Sequence, residues 1–471
     1  MIQAPDSRKP MGLRSLKTLP QATVATLFVI LVLSGCASRQ WNQPIAAANK
    51  SQNYQLSDHQ PQKNAKDVFV ILAFSGGGMR SAAFSYGTLK AFRNINITIH
   101  GEKRNLLDEV DVISSVSGGS YTAAYYGLFG ARIFRDYKTT FLLRDVEGEM
   151  LGTLLNPINA MSLTSSDYNR SDLASSWLDD NLFEHRTFAS MSKNGLPYVI
   201  LNASDLNTGM TFSFVQQQFD FLCSDLSSYA VSNAVMASSA VPGLFAPIAL
   251  HNFDENCAQR RQPWIFSSLK AGAQRDRNYA VARELERYFE PGNMPIIRLV
   301  DGGVTDNLGV RGSIMSPVLH YGKVTRMAGA FSPAELDEIV DVLVVVANAQ
   351  VYRPPEWSGT GKEPGLIDTI YAAFDASLNL LNSETIQQAQ RSFQAWENDV
   401  NSRRAPRAAK VRVHFVSLIF DDIPDGSARR KFNAIPTNLS LTLEQVEAVE
   451  ALPTILLSRS PEFQKFLLTL P

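Results

Sequence analysis

Apolar residues gather into short runs along the chain, at residues 68–74, 110–116, 198–204, 210–215, 296–300, 340–347 and 411–420. The first run, Val-Phe-Val-Ile-Leu-Ala-Phe, is continuous, as in a central strand buried on both faces. The others read as strands too. Asp205-Leu206-Asn207-Thr208-Gly209 separates two of them as a hairpin turn. Between the runs the apolar positions take helical spacing. Ala83, Tyr86, Leu89 and Phe92 follow the first strand, and Val281, Leu285, Tyr288 and Phe289 share one side of a more polar insertion at 251–295. Residues 132–192 are mixed and mainly helical. Ile367, Ile370, Phe374, Leu378 and Leu381 form a stripe that resumes, after one break, at Ile386, Ala389, Phe393 and Trp396. Core packing is the simplest reading of that stripe, and a membrane- or substrate-facing helix is the alternative. The tail is short helices punctuated by Pro453 and Pro461, and no internal repeat is present. Strands interleaved with helical segments predict an α/β fold.

Three of the strands run into glycine. The first passes into Ser75-Gly76-Gly77-Gly78-Met79-Arg80. Successive glycines between a strand and a helix expose backbone N–H groups beside a helix N-terminus, a geometry that receives an anion. Neither G-x-x-x-x-G-K-[ST] nor G-x-G-x-x-G is present, which argues against a nucleotide phosphate. An oxyanion hole made by Gly76, Gly77 and Gly78 is the remaining functional reading, and a ligand-free turn is the bland one.

The second strand passes into Ser114-Ser115-Val116-Ser117-Gly118-Gly119-Ser120. A strand that enters a helix through Ser-Gly-Gly turns tightly and lifts the apex residue out of the backbone, which makes Ser117 a nucleophile candidate. The usual elbow is G-x-S-x-G; here Ser115 occupies the first glycine's place. A helix of small residues from Ala234 stops before Pro242, and its small side chains suit close packing beneath that elbow. The strand at 296–300 delivers Asp301-Gly302-Gly303, a carboxylate at a strand's carboxyl end, where α/β sheets place their chemistry. A turn or cap role is the alternative for Asp301, and Asp306 is expected to be structural. A carboxylate of ordinary pKa, about 4, is a weak base for a serine hydroxyl, so a catalytic Asp301 requires a raised pKa.

Composition narrows the field. With 471 residues, 45% hydrophobic and 19% charged, the chain has ample material for a large core. A formal charge of −1 gives no electrostatic reason to expect a nucleic-acid partner. The three cysteines, Cys36, Cys223 and Cys257, form no C-x-x-C pair, and no metal-ligand or cofactor spacing is present. Cys223 and Cys257 are read either as a disulfide or as two buried thiols.

The beginning of the chain reads as an address. Arg8, Lys9, Arg14 and Lys17 precede an apolar run at 22–33, too short to span a bilayer and suited to a secretory leader. The run ends in Leu33-Ser34-Gly35-Cys36, which resembles the lipobox of bacterial lipoproteins. That resemblance implies a signal peptide at 1–35, acyl chains on Cys36 and contact with a membrane surface. By resemblance to Gram-negative lipoproteins, Ala37 in place of Asp implies the outer membrane of the bacterial envelope, facing the periplasm. An uncleaved signal anchor is the alternative. Residues 36–66, rich in Gln, Asn, Ser and Ala, are expected to be a flexible tether.

Taken in order, Ser75–Arg80, Ser115–Gly119 and Asp301–Gly303, with Ala237-Ser238-Ser239-Ala240-Val241-Pro242-Gly243-Leu244-Phe245-Ala246-Pro247, resemble the patatin-like phospholipase family. The resemblance implies a three-layer α/β/α fold around a central, mostly parallel sheet. It implies a catalytic domain at 67–350, with residues 351–471 an extension packed on it. Ser117 takes the nucleophile's place and Asp301 the base's, in a dyad without histidine. Gly76, Gly77 and Gly78 take the oxyanion place, and Arg80 matches the basic residue that follows. The implied substrates are acyl esters of lipids or lysolipids, with no cofactor. Two rivals stand beside this reading. One is a Ser-His-Asp esterase, with His320 or His414 completing Ser117 and Asp301. The other is an inactive lipid-binding lipoprotein on a hydrolase fold.

Overall fold

Eight strands make one sheet. They are β1 Val68–Phe74, β2 Val110–Val116, β3 Tyr198–Asp205, β4 Thr211–Ser213, β5 Ile248–His251, β6 Ile296–Asp301, β7 Asp341–Asn348 and β8 Arg412–Ile419. The structure is a computed structural model, and it describes residues 42–45, 54, 56, 64–155, 169–191, 195–253, 261–272, 277–289, 292, 294–312, 315, 318, 337–351, 356–361 and 363–471. The strand order is β8-β7-β1-β2-β3-β6-β5, with β4 hairpinned onto β3. From β8 to β3 all neighbours run parallel; β6 is antiparallel to both β3 and β5. The fold is thus α/β, a mostly parallel central sheet flanked by helices.

The apolar runs become strands for the expected reason. Every residue of β2 and β7 is buried, and all of β1 except Phe69. Strands covered on both faces have no solvent side for polar residues. At the edge, β8 alternates, and its two faces identify the layers. Phe415 meets Phe393 of α4 (Leu366–Arg403), with ring centroids 5.9 Å apart. The neighbouring His414 meets Phe466 of α6 (Pro461–Thr469) at 5.6 Å. Adjacent strand residues point to opposite faces, so α4 and α6 cover opposite faces of the sheet. On the α6 side lie α1 (Gly78–Asn94) and α5 (Leu443–Arg459), with Phe92 of α1 against Phe463 of α6. Helix α2 (Gly118–Phe129) packs on α1, and α3 (Val231–Ser239) on α2 and β6.

Two expectations are corrected, and the interrupted stripe is resolved. Asp301 does end a strand, but β6 lies second from the edge and runs antiparallel. It is offset along β3, pairing Asp301 with Ala203, while Val116 pairs with Asn202; its carboxyl end therefore reaches the level of the β2 terminus from the opposite direction. The interrupted stripe belongs to one helix of 38 residues, because no proline or glycine occurs between Leu366 and Arg403 to stop it. Its Ala389, Phe393 and Trp396 are core, whereas Leu366 and Leu380 in the first half are exposed.

The stretch 36–66 is also fixed to the domain at several described points, among them the buried Ala65, whose N–H donates to Glu109 Oε2 at 2.6 Å. Asn42 is buried and exchanges two 2.8 Å hydrogen bonds with the His251 backbone. Gln43–Pro44 pairs with Ser224–Asp225. The buried Tyr54 ring lies against Tyr198 and Phe188, and its hydroxyl donates to the Val199 carbonyl and accepts from the Val199 N–H. One aromatic in a polar segment barely changes its composition, yet burying that ring is enough to fix it. Residues 1–35 and Cys36 lie outside the described residues.

Candidate active site

At the end of β1 the backbone makes a turn that only glycine fits. Gly77 and Gly78 have φ of 137° and 58°. A Cβ on Gly76 would overlap the Asn307 side chain, and one on Gly78 the Asn438 carbonyl. The Gly76 N–H donates to the Asn307 carbonyl at 2.9 Å. This corrects the expected trio of oxyanion donors, since that N–H is already used. The N–H groups of Gly77 and Gly78 have no acceptor among the described residues.

The β2–α2 junction is the tight elbow expected from Ser-Gly-Gly. Ser117 sits at φ 49°, ψ −121°, a backbone region costly for a side-chain-bearing residue. A Cβ on Gly118 would overlap the Gly78 carbonyl oxygen, so the elbow and the glycine turn are in direct backbone contact. Ser115 fits where a glycine was usual: its hydroxyl donates to the Ile200 carbonyl and accepts from Ser120 Oγ.

The elbow rests on α3. Ser238 Oγ accepts the Ser117 N–H at 2.8 Å, donates to the Asn202 carbonyl at 2.6 Å and lies 2.9 Å from Ser120 Oγ. The Ser238 carbonyl accepts the Gly302 N–H, and the Ala240 carbonyl accepts the Asp301 N–H. One turn of α3 therefore holds both halves of the site. The small-residue pattern pointed to this packing; nothing in the sequence singled out the Ser238 hydroxyl.

Ser117 and Asp301 meet. Ser117 Oγ donates to Asp301 Oδ2 at 2.7 Å, and Asp301 Oδ1 accepts the Gly303 N–H at 2.8 Å. The two side chains are only 8% and 6% exposed. Burial pushes the Asp301 carboxyl up from 3.8 to about 6, against the opposing pull of the Gly303 N–H and the Ser117 hydroxyl. Asp306, as expected, is structural: its buried carboxylate accepts the N–H groups of Arg311 and Gly312.

Arg80 supports the glycine turn from behind. Its buried guanidinium donates from Nε to the Ala349 carbonyl and from Nη1 to the Ile435 carbonyl, each at 2.7 Å. Burial pushes it down to about 10, opposed by Asp375. The Asn438 carbonyl accepts the Met79 N–H at 2.8 Å, so residues 435–438 brace the turn directly. No sequence signal connects those positions, which lie more than 350 residues from the turn.

The histidine rival loses one candidate. His414 pairs in register with Leu343, near the amino ends of the parallel strands, whereas Ser117 stands at their carboxyl ends. Its Nδ1 lies 2.7 Å from Glu462 Oε1. His320 and Cys257 lie outside the described residues, and Cys223 is buried. Among the described residues no group of side chains is arranged to hold a metal ion.

Residues 72–314, just over half of the chain, match the family model described as Patatin-like phospholipase. No curated protein matches the sequence significantly. Among solved structures, human GIVD cytosolic phospholipase A2 is similar at 12% identity and a TM-score of 0.46, over 87% of this chain and 64% of that one. The same enzyme with methyl gamma-linolenyl fluorophosphonate and terbium chloride aligns at 14% identity and 0.36, over 88% and 64%. VipD from Legionella pneumophila aligns at 11% identity and 0.30, over 90% and 72%. The alignment thus spans 64% of the length of the first two of these structures.

Proposed function

Since the chain belongs to the patatin-like phospholipase family, we propose that it is a serine acyl hydrolase that cleaves fatty-acyl esters of phospholipids or lysophospholipids. Ser117 is the nucleophile and Asp301 the base. The observation that carries this reading is the 2.7 Å hydrogen bond from a strained, buried serine to a carboxylate raised to about 6.

The chemistry follows from the arrangement. Ser117 Oγ attacks the ester carbonyl carbon while its proton moves to Asp301 Oδ2. Negative charge develops on the carbonyl oxygen, and the N–H groups of Gly77 and Gly78 receive it at the mouth of α2, whose N-terminus adds a favourable dipole. Collapse breaks the ester C–O bond, and the departing lysolipid alcohol takes the proton from Asp301. Asp301 then deprotonates a water molecule that attacks the acyl-serine. The fatty acid leaves, and Ser117 recovers its proton. A carboxylate with pKa near 6 is largely ionised at neutral pH and is a stronger base than an exposed aspartate.

Leu33-Ser34-Gly35-Cys36 supports a second part of the reading. After processing, Cys36 carries acyl chains that hold the enzyme on the bacterial envelope, at the outer membrane facing the periplasm. Fluorophosphonate labelling of the mature protein, beside p-nitrophenyl ester hydrolysis, tests the catalytic part. Both are expected in the wild type and absent from Ser117→Ala. Asp301→Asn is expected to lose about a thousandfold in kcat or more with its circular dichroism unchanged. A folded Asp301→Asn enzyme of near wild-type activity refutes the dyad.

A further inference from the structure

The point where the chain joins the folded domain has a consequence for the lipid anchor. Asn42 is locked to the His251 backbone on the outer edge of β5 and to Ser224 Oγ. His251 pairs with Ile296 at the start of β6. Along β6, Leu299 pairs with Asp205, the last residue of β3, so Ile296 lies three residues, about 10 Å, beyond the β3 terminus. That is the end of the sheet where Ser117 and Asp301 stand. From there the chain passes to Tyr54, which is held at Val199 near the opposite end of β3.

Cys36 precedes Asn42 by six residues, which reach at most about 21 Å fully extended. A lipid on Cys36 therefore keeps the active-site end of the sheet within about 21 Å of its membrane. Two large apolar side chains project at that end. Leu206, in the turn after β3, is 53% exposed, and Leu244, four residues after the Ala240 carbonyl that holds the Asp301 N–H, is 54% exposed. Singly, exposed leucines need no explanation. Here both lie at the end of the sheet where Asn42 is held.

We propose that the lipid on Cys36 and the apolar rim formed by Leu206 and Leu244 seat the active-site end of the domain on the membrane that carries the anchor, so that the substrate is drawn from that same membrane. This inference rests on the acyl-hydrolase and lipoprotein readings above. It assigns to residues 42–45 an orienting role that a long flexible tether would not have. A tether of free contour would let the domain tumble, with its site facing the membrane only part of the time.

The test places an environment-sensitive nitrobenzoxadiazole probe on the lipidated protein, reconstituted in phosphatidylethanolamine/phosphatidylglycerol vesicles. In a Cys257→Ser background, one sample is labelled at Leu244→Cys and another at Lys103→Cys. Lys103 is exposed and lies in the hairpin after α1, at the far end of the sheet. Blue-shifted emission and quenching by brominated lipids are expected at 244 and absent at 103. A further sample carries about thirty Gly/Ser residues inserted between Cys36 and Asn42; its quenching at 244 is expected to fall severalfold while p-nitrophenyl ester hydrolysis is kept. Flotation with the vesicles combined with equal quenching at 244 and 103 overturns the orientation and leaves the anchor and the hydrolase intact. A protein that does not float with the vesicles overturns the anchor, and this proposal with it. A protein that shows the 244-specific quenching but hydrolyses no ester supports the seating and overturns only the hydrolase.

Discussion

Asp301 is buried as a charge, and that sets two pH dependences. Its folded-state pKa of about 6 lies above the ordinary 3.8, so the folded chain holds this proton more tightly than the unfolded one. The ionised form therefore costs stability above pH 6, and the cost fades as pH falls toward 3.8. Asp301→Asn is expected to stabilise the protein at pH 8 by at most about 3 kcal/mol, with the gain shrinking toward pH 4 in thermal unfolding. Activity moves the other way. As the proposed base, Asp301 would act in its ionised form, so kcat/KM for a soluble ester is expected to fall about tenfold per pH unit below about pH 6. An acid limb centred near 4 would show that burial does not raise this carboxylate. Ser238 belongs to the same scale. Its hydroxyl is the acceptor for the N–H of the strained Ser117, and its carbonyl accepts the N–H of Gly302, next to Asp301. Ser238→Ala leaves that N–H buried and unpaired, a cost of about 1–3 kcal/mol. A positioning role predicts that kcat and the fluorophosphonate labelling rate fall together by about ten- to hundredfold, with KM nearly unchanged. Unchanged labelling would leave Ser238 as packing alone. Ser117 and Asp301 were legible because a nucleophile elbow and a strand-end carboxylate each leave a local pattern. Asn307, Ser238 and Asn438 were not, because their contributions are carbonyls and a hydroxyl supplied across the fold.

At the level of elements, close approach decides more than propensity. Helices α1 and α5 touch at Gly87, where a Cβ would overlap the Glu450 carbonyl. Glu450 is itself buried and takes the ammonium groups of Lys90 and Lys138. Gly87→Ala is expected to destabilise the protein by about 1–3 kcal/mol through overpacking, even though alanine is the better helix former. Differential scanning calorimetry checks the sign: a raised Tm would mean that the helices separate without cost. The strands were legible because burial on both faces writes a continuous apolar run. The direction of β6 was not, since the sequence of a buried strand reads the same in a parallel or an antiparallel pair. The apolar stripe of α4 shows a break because it moves around the helix between Leu381 and Ile386. Periodicity shows which face is buried; it does not show whether the backbone continues.

The whole molecule is closed from its C-terminal part. The family match ends at residue 314, yet β7 and β8 complete the sheet beyond it, α5 and α6 cover the face shared with α1, and residues 435–438 brace the glycine turn through Arg80 and Met79. Removing residues 351–471 strips β7 of one of its two parallel neighbours and exposes a strand that is buried along its full length. It also takes away the Ile435 and Asn438 carbonyls that hold Arg80 Nη1 and the Met79 N–H. An exposed apolar edge favours association with other chains over folding. The chain ending at 350 is therefore expected to aggregate, or to lack a cooperative unfolding transition, and to take no fluorophosphonate label. A soluble, cooperatively unfolding fragment that labels at Ser117 would show instead that the glycine turn holds its shape without the brace. Arg80→Met in the full chain separates the two contributions. It keeps β8 and its packing and removes the donors to Ala349 and Ile435 together with the charge beside Asp375. A brace that matters to catalysis predicts a fall in labelling rate larger than the accompanying fall in stability explains.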